Sequence, residues 1–190
     1  MPKVVDLDQL LQESGAILKG HFLLSSGLHS DIYVEKFRVL ECPEILSVFC
    51  SKIADSFRSF EVEFIAGPST GGMIIAYELS RLLGVQARYI ESENGSKTFR
   101  RNASIPQGAK VLVVDDVLTT GLSLTESAGA VRNAGGNVIG YGVLIDRSEN
   151  FTADTPVFAA VKVQGSTYKE TDLPAWLSEI PITKPGTRNL

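Results

Sequence analysis

Residues 111–123 read VLVVDDVLTTGLS. Val111 to Val114 are four aliphatic residues with no polar alternation, the pattern of a strand buried on both faces inside a parallel sheet. Two adjacent carboxylates, Asp115 and Asp116, follow at its end, and after them come Thr119, Thr120, Gly121 and Ser123. Ser123 and Glu126 fit a Ser-x-x-Glu capping box, which predicts a helix beginning there and stopping near Gly135-Gly136. Strand, acidic pair, hydroxyl-rich turn and helix make a βα unit, and ligands of open α/β sheets bind where strands turn into helices.

The same alternation extends to both sides. Glu61 to Ala66 is a short apolar run closed by Gly67-Pro68, and Met73 to Leu83 then carries apolar residues at helical spacing until Gly84. Val85–Ile90, Asn137–Ile145 and Pro156–Val163 read as further strands, and Ile45, Phe49, Ile53 and Phe57 recur every four residues in an amphipathic helix. Strands alternating with helices over about 100 residues predict an α/β fold with a parallel twisted sheet flanked by helices. The segments 1–40 and 151–190 have weaker periodicity. They are expected to form a small hood subdomain on a core of about 41–150, within one domain spanning 1–190.

Composition narrows the class of function. Hydrophobic residues make up 44% and charged residues 21% of the 190, which is globular composition and argues against a disordered chain. A net charge of -4 without clustered Lys and Arg argues against a nucleic-acid partner. No apolar run approaches the roughly 18 residues that span a bilayer, and the opening MPKVVDLDQLLQ lacks a signal peptide's basic-then-apolar order. No membrane role and a cytoplasmic location are expected. Cys42 and Cys50 fall on one helix about 12 Å apart by its rise, too far to pair with each other. His21 and His29 form no metal-binding motif.

At the carboxyl end of the 111–114 strand, Thr119 to Ser123 lead into a helix whose first N–H groups lack helical partners. Those groups, three hydroxyls and a glycine suit a phosphate. The two carboxylates beside them suit the vicinal hydroxyls of a sugar. Together they predict a sugar-phosphate site. The run Gly67-Pro68-Ser69-Thr70-Gly71-Gly72 is a second glycine-rich turn; it half-matches a P-loop, but Met73 stands where the lysine must be.

The order of residues 111–123 resembles the phosphoribosyl diphosphate (PRPP) signature of type I phosphoribosyltransferases. GHFLLSSGLHS at Gly20 to Ser30, GPSTGG at Gly67 to Gly72, LIDRS at Leu144 to Ser148 and the tail Lys184 to Arg188 extend the resemblance, specifically to the orotate branch of that family. The resemblance implies a pentosyltransferase using PRPP and orotate with Mg²⁺, and a homodimer. It implies that Asp115 and Asp116 hold the ribose 2- and 3-hydroxyls and that Val117, Leu118, Thr119, Thr120, Gly121, Leu122 and Ser123 surround the 5-phosphate. Ser69, Thr70 and Gly71 would receive the diphosphate. Thr119, Arg147, Ser25 and Phe22 would contact orotate, Arg147 as a bidentate partner for its carboxylate. Mg²⁺ would be held mainly by PRPP, with water between it and Asp115 or Asp116.

A flexible loop at about 91–104, ESENGSKTFRRNAS, is expected to cover the departing diphosphate. Here the chain departs from the pattern: Glu91-Ser92-Glu93 has a serine where relatives of this branch carry a basic residue. Lys97, Arg100 and Arg101 are the candidates to supply the missing charge. A phosphoribosyltransferase for another base, or a PRPP-binding regulator with weakened catalysis, are the two other readings this sequence leaves open.

Overall fold

The computed structural model describes residues 6–24, 26–101 and 103–185. In chain order its elements are α1 (Leu7–Glu13), β1 (Ile17–Leu23), β2 (His29–Val34), α2 (Phe37–Leu40), α3 (Pro43–Phe57), β3 (Phe64–Pro68), α4 (Gly71–Leu83), β4 (Gln86–Glu93) and β5 (Ser96–Phe99). Then follow β6 (Lys110–Leu118), α5 (Leu122–Asn133), β7 (Asn137–Asp146), β8 (Val157–Lys162), β9 (Thr167–Tyr168), α6 (Ala175–Ser178) and β10 (Ile182–Thr183). Two compact units result, one of residues 40–163 and one of residues 1–39 with 164–190. Among the described residues no helix is long and apolar enough to cross a membrane.

The larger unit holds a six-stranded sheet in the order β5-β4-β3-β6-β7-β8. All its pairings are parallel except the edge hairpin β4–β5. β6 is central, and Val111, Leu112, Val113 and Val114 are fully buried, as a strand covered on both faces requires. On α3, Phe49, Ile53 and Phe57 are buried, and on α4, Ile75, Ala76 and Leu79. β8 pairs in parallel with β7 from Tyr141↔Val157 to Asp146↔Lys162, so the sheet runs past residue 150 and the smaller unit's second segment begins at Gln164.

Residues 86–99 form a regular hairpin, although 91–104 reads as a flexible loop in the sequence. β4 runs through Glu91, Ser92 and Glu93 and returns as β5 with Ser92 opposite Lys97. Asn94 and Gly95 both have positive φ (50 and 80), the two-residue turn whose twist matches paired strands and for which Asn-Gly is the favoured sequence.

The smaller unit holds the sheet β10-β1-β2-β9. His21 and His29 face each other across β1 and β2: His21 Nε2 lies 2.7 Å from His29 Nδ1, and His21 Nδ1 lies 3.0 Å from the Ile180 carbonyl. A carbonyl only accepts, so His21 Nδ1 carries the proton donated there. The Ser30 hydroxyl donates to the carbonyls of Ile32 and Ser166.

Candidate active site

The acidic pair lies within β6, ahead of its last two residues. Asp115 pairs with Val143 and Val117 with Ile145, so the strand continues four residues past its apolar run. β3 accompanies β6 only from Phe64↔Val111 to Ala66↔Val113. Past that point the start of α4 packs against β6, and glycines permit the approach. A Cβ on Gly71 would land on Asp116 Oδ2, one on Gly72 would meet the Pro68 ring and the Val114 carbonyl, and one on Gly67 would meet the Gly72 carbonyl. The N-terminal turn of α4 and the Asp116 carboxylate are therefore neighbours, an arrangement the helix dipole favours.

Asp115 and Asp116 are each only 7% exposed. Asp115 Oδ1 accepts from the Asp116 N–H at 2.9 Å, and Asp116 Oδ1 from the Val117 N–H at 2.7 Å. Burial, and then the charge of Asp116, push the Asp115 carboxyl above its ordinary range; the Ser123 hydroxyl, the Asp116 N–H and Lys97 pull it back. The pair is poised to accept hydrogen bonds from a ligand that replaces its lost hydration.

The turn that follows exposes Thr119 and Thr120. Gly121 is the N-cap of α5 with φ 79, a left-handed conformation open to glycine at little cost. A Cβ there would also land on the ring of Phe151, which meets Tyr141 edge-on at 6.4 Å between centroids. Gly121 brings no side-chain acceptor, and the predicted Ser123–Glu126 capping box does not form. Ser123 lies inside the first turn, where its hydroxyl accepts from Lys97 Nζ at 2.5 Å. The first turn of α5, with its exposed Leu122, keeps the character of an anion-binding helix start.

The remaining sequence candidates divide by position. Leu118 is buried in the core at 2% exposure, and its carbonyl accepts the Arg147 N–H at 2.8 Å. That bond ties the start of the Arg147 segment to the end of β6, beside Thr119. The Asp146 carboxylate next to Arg147 accepts from the Ser148 N–H and hydroxyl at 2.7 and 2.6 Å, with Lys162 Nζ at 3.8 Å. Ser69 and Thr70 are exposed in the turn before α4, and the Ser69 N–H donates to the Ile90 carbonyl at 3.0 Å. Phe22 belongs to the smaller unit, buried with its ring 5.7 Å from that of Tyr33. Ser25 lies outside the described residues.

The three basic candidates of the hairpin behave differently. Arg100 Nε is 3.4 Å from Glu93 Oε1 and Arg101 Nη2 3.6 Å from Glu91 Oε1, exposed pairs that hold little energy and exchange readily. Lys97 is turned inward: Nζ donates to the Ser123 carbonyl at 2.8 Å and to the hydroxyls of Ser123 and Ser127, the latter at 3.2 Å. Sequence reading missed this link, and its one local signal was the Asn94-Gly95 turn that sets the register.

A parallel α/β sheet carries an acidic pair and a glycine-started helix at the end of its central strand, and a family model of the phosphoribosyl transferase domain matches residues 38–170. The chain belongs to that family. It is 40% identical over 189 residues, covering 99% of its length and 98% of the relative, to an orotate phosphoribosyltransferase of Caldanaerobacter subterraneus subsp. tengcongensis. It is 42% identical over 183 residues to one of Pelotomaculum thermopropionicum, covering 95% and 96% of the two chains. Among solved structures, the orotate phosphoribosyltransferase of Aeropyrum pernix superposes with a TM-score of 0.73 at 28% identity, covering 83% of this chain and 94% of that one.

Proposed function

We propose that the chain transfers the ribose 5-phosphate group of PRPP to orotate, giving orotidine 5-phosphate and diphosphate, a step of pyrimidine nucleotide synthesis. The observation that carries this reading is the buried pair Asp115 and Asp116, set between the glycine-started helices α4 and α5. The carboxylates accept from the ribose 2- and 3-hydroxyls, the turn 119–123 takes the 5-phosphate, and the turn 69–71 receives the diphosphate. As diphosphate leaves, the anomeric carbon becomes cationic, and a nitrogen of the orotate anion adds from the opposite face. Arg147, placed beside Thr119 by the Leu118 backbone bond, suits the orotate carboxylate as a planar fork. A neutral purine would leave that fork without a counterpart, which favours orotate over another base.

Among the described residues no group of three or more His, Cys, Asp or Glu gathers to hold a metal. Two neighbouring carboxylates fit Mg²⁺ held chiefly by substrate oxygens, its usual manner with phosphates. The chemistry it supplies when bound is neutralisation of charge on the leaving diphosphate. A homodimer acting in the cytoplasm completes the proposal; sedimentation as a monomer at assay concentration would remove the dimer from it.

The test follows the ultraviolet loss of orotate with PRPP and Mg²⁺, with adenine, hypoxanthine and uracil in parallel. Consumption of orotate alone is expected. Consumption of another base instead would overturn the substrate, and PRPP binding without consumption of any base would indicate a regulator.

A further inference from the structure

Lys97 stands out as a cation that reaches away from its own hairpin. On β5 it sits directly opposite Ser92, and the same face carries Ile90 and Phe99 toward the core, since alternate strand residues share a side. Its ammonium has three N–H groups, and three acceptors meet them: the Ser123 carbonyl, the Ser123 hydroxyl and the Ser127 hydroxyl. Glu126 Oε2 stands 3.8 Å away. The Ser127 hydroxyl in turn donates to the Ser123 carbonyl at 2.7 Å. Lys97 is 12% exposed while Glu126 is 45% exposed, so the ammonium is the embedded partner.

The consequence lies in the hydroxyl of Ser123. With an ammonium N–H on its oxygen, that group has its single proton left to give, and the hydroxyl acts to lower the Asp115 pKa. We propose that Lys97 is a positioning residue for the 5-phosphate end of the substrate: it fixes Ser123 as a donor and holds a positive charge behind the turn 119–123. A phosphate arriving in that turn takes over the Ser123 proton and is faced by the ammonium one residue deeper. Asp115 then keeps its acceptor sites for the ribose hydroxyls. Burial lowers the Lys97 pKa, while Asp115, Glu126 and Asp116 raise it in that order of influence; the three acids favour the charged form at the cost of its hydration.

This role differs from contact with the diphosphate, for which Arg100 and Arg101, just past the end of β5, remain the candidates. It rests on the sugar-phosphate reading of the turn but not on the identity of the base. The experiment measures binding by calorimetry of ribose 5-phosphate, and of PRPP with Mg²⁺, to the full chain and to Lys97→Met. Ribose 5-phosphate carries the 5-phosphate and lacks the diphosphate. Both ligands are expected to weaken by the same factor, about tenfold for a lost charge-assisted contact. The PRPP KM should rise likewise, with kcat changing far less, the mark of an interaction equal in ground and transition states. Lys97→Arg, which keeps the charge, should recover part of the affinity.

Ribose 5-phosphate affinity within twofold of the parent would overturn the proposal. So would a loss confined to PRPP with a fall in kcat, which places Lys97 at the diphosphate. Should Lys97→Met fail to fold, Ser127→Ala, which removes one acceptor and leaves the charge, is expected to give a smaller loss of both ligands, and no loss would count against the proposal. If the parent binds both ligands and leaves orotate unconsumed, the base assignment fails and the role of Lys97 stands.

Discussion

Gly121→Ala tests whether the turn between β6 and α5 is shaped as the site requires. Gly121 has φ 79, and a Cβ on it would fall within the ring of Phe151. Holding alanine in the left-handed region costs about 1–2 kcal/mol, and forcing a methyl into a packed contact costs about 1–3 kcal/mol more. The sum, about 2–5 kcal/mol, appears as lost stability if the turn stays in place. At roughly 2–4 °C per kcal/mol for a chain of this size, the thermal midpoint should fall by about 4–20 °C. To the extent that the turn yields, PRPP affinity falls instead. Differential scanning calorimetry and PRPP titration together capture both channels. Phe151→Ala separates the two terms: in the double variant the ring is gone and only the backbone strain remains. The double variant should then be less damaged than the sum of its parents by about 1–3 kcal/mol, as expected for residues in contact. Simple additivity, or a Gly121→Ala protein with unchanged midpoint and affinity, would refute the steric reasoning.

Asp115→Asn should raise the thermal midpoint while weakening PRPP. Its carboxyl is pushed up in the folded state by burial and by Asp116, so folding is penalised as pH rises through that range and the penalty is complete above it. The gain in the variant is therefore present at pH 7 and shrinks toward acid pH; a midpoint lowered at neutral pH would contradict it. Arg147→Lys keeps the charge and loses the fork, so KM for orotate should rise about tenfold or more while KM for PRPP holds; an unchanged orotate KM would remove Arg147 from the base site. Cys50 is fully buried, and burial together with Glu78 pushes its thiol far above the ordinary range. A thiol reagent should modify one cysteine, Cys42, in the native protein and both after denaturation, and rapid native labelling of both would contradict the packing of α3.

The sheet was legible because its signals are local. Val111 to Val114 announce a doubly covered strand, and Ile45 to Phe57 announce a helix, without reference to anything distant. The apolar run shows where β6 is doubly covered but not how far it extends. Asp115 pairs with Val143 because β7 continues beside it, and a backbone ladder is indifferent to side-chain charge. The smaller unit was hard to read since β9 and β10 have two residues each, too short for any period to show. β10 joins β1 through His21↔Ile182, a pairing no local pattern can predict.

The lost capping box shows why the candidate site was only partly legible. Ser123 and Glu126 have the right types at the right spacing, and in an isolated helix the serine would turn back to cap the first turn. Here Gly121 takes the N-cap position, and the serine hydroxyl is claimed by Lys97 from 26 residues upstream. A charge-assisted bond to an ammonium is roughly twice as strong as a neutral one, so the tertiary contact outcompetes the local motif. The register that delivers Lys97 comes from the Asn94-Gly95 turn. Shift it by one residue and the lysine points to solvent while Ser96 or Thr98 faces α5. The departure at Ser92 and the placement of Lys97 are thus two sides of one hairpin, and the charge the sequence lacks on β4 stands directly across from it on β5, aimed at the first turns of α5.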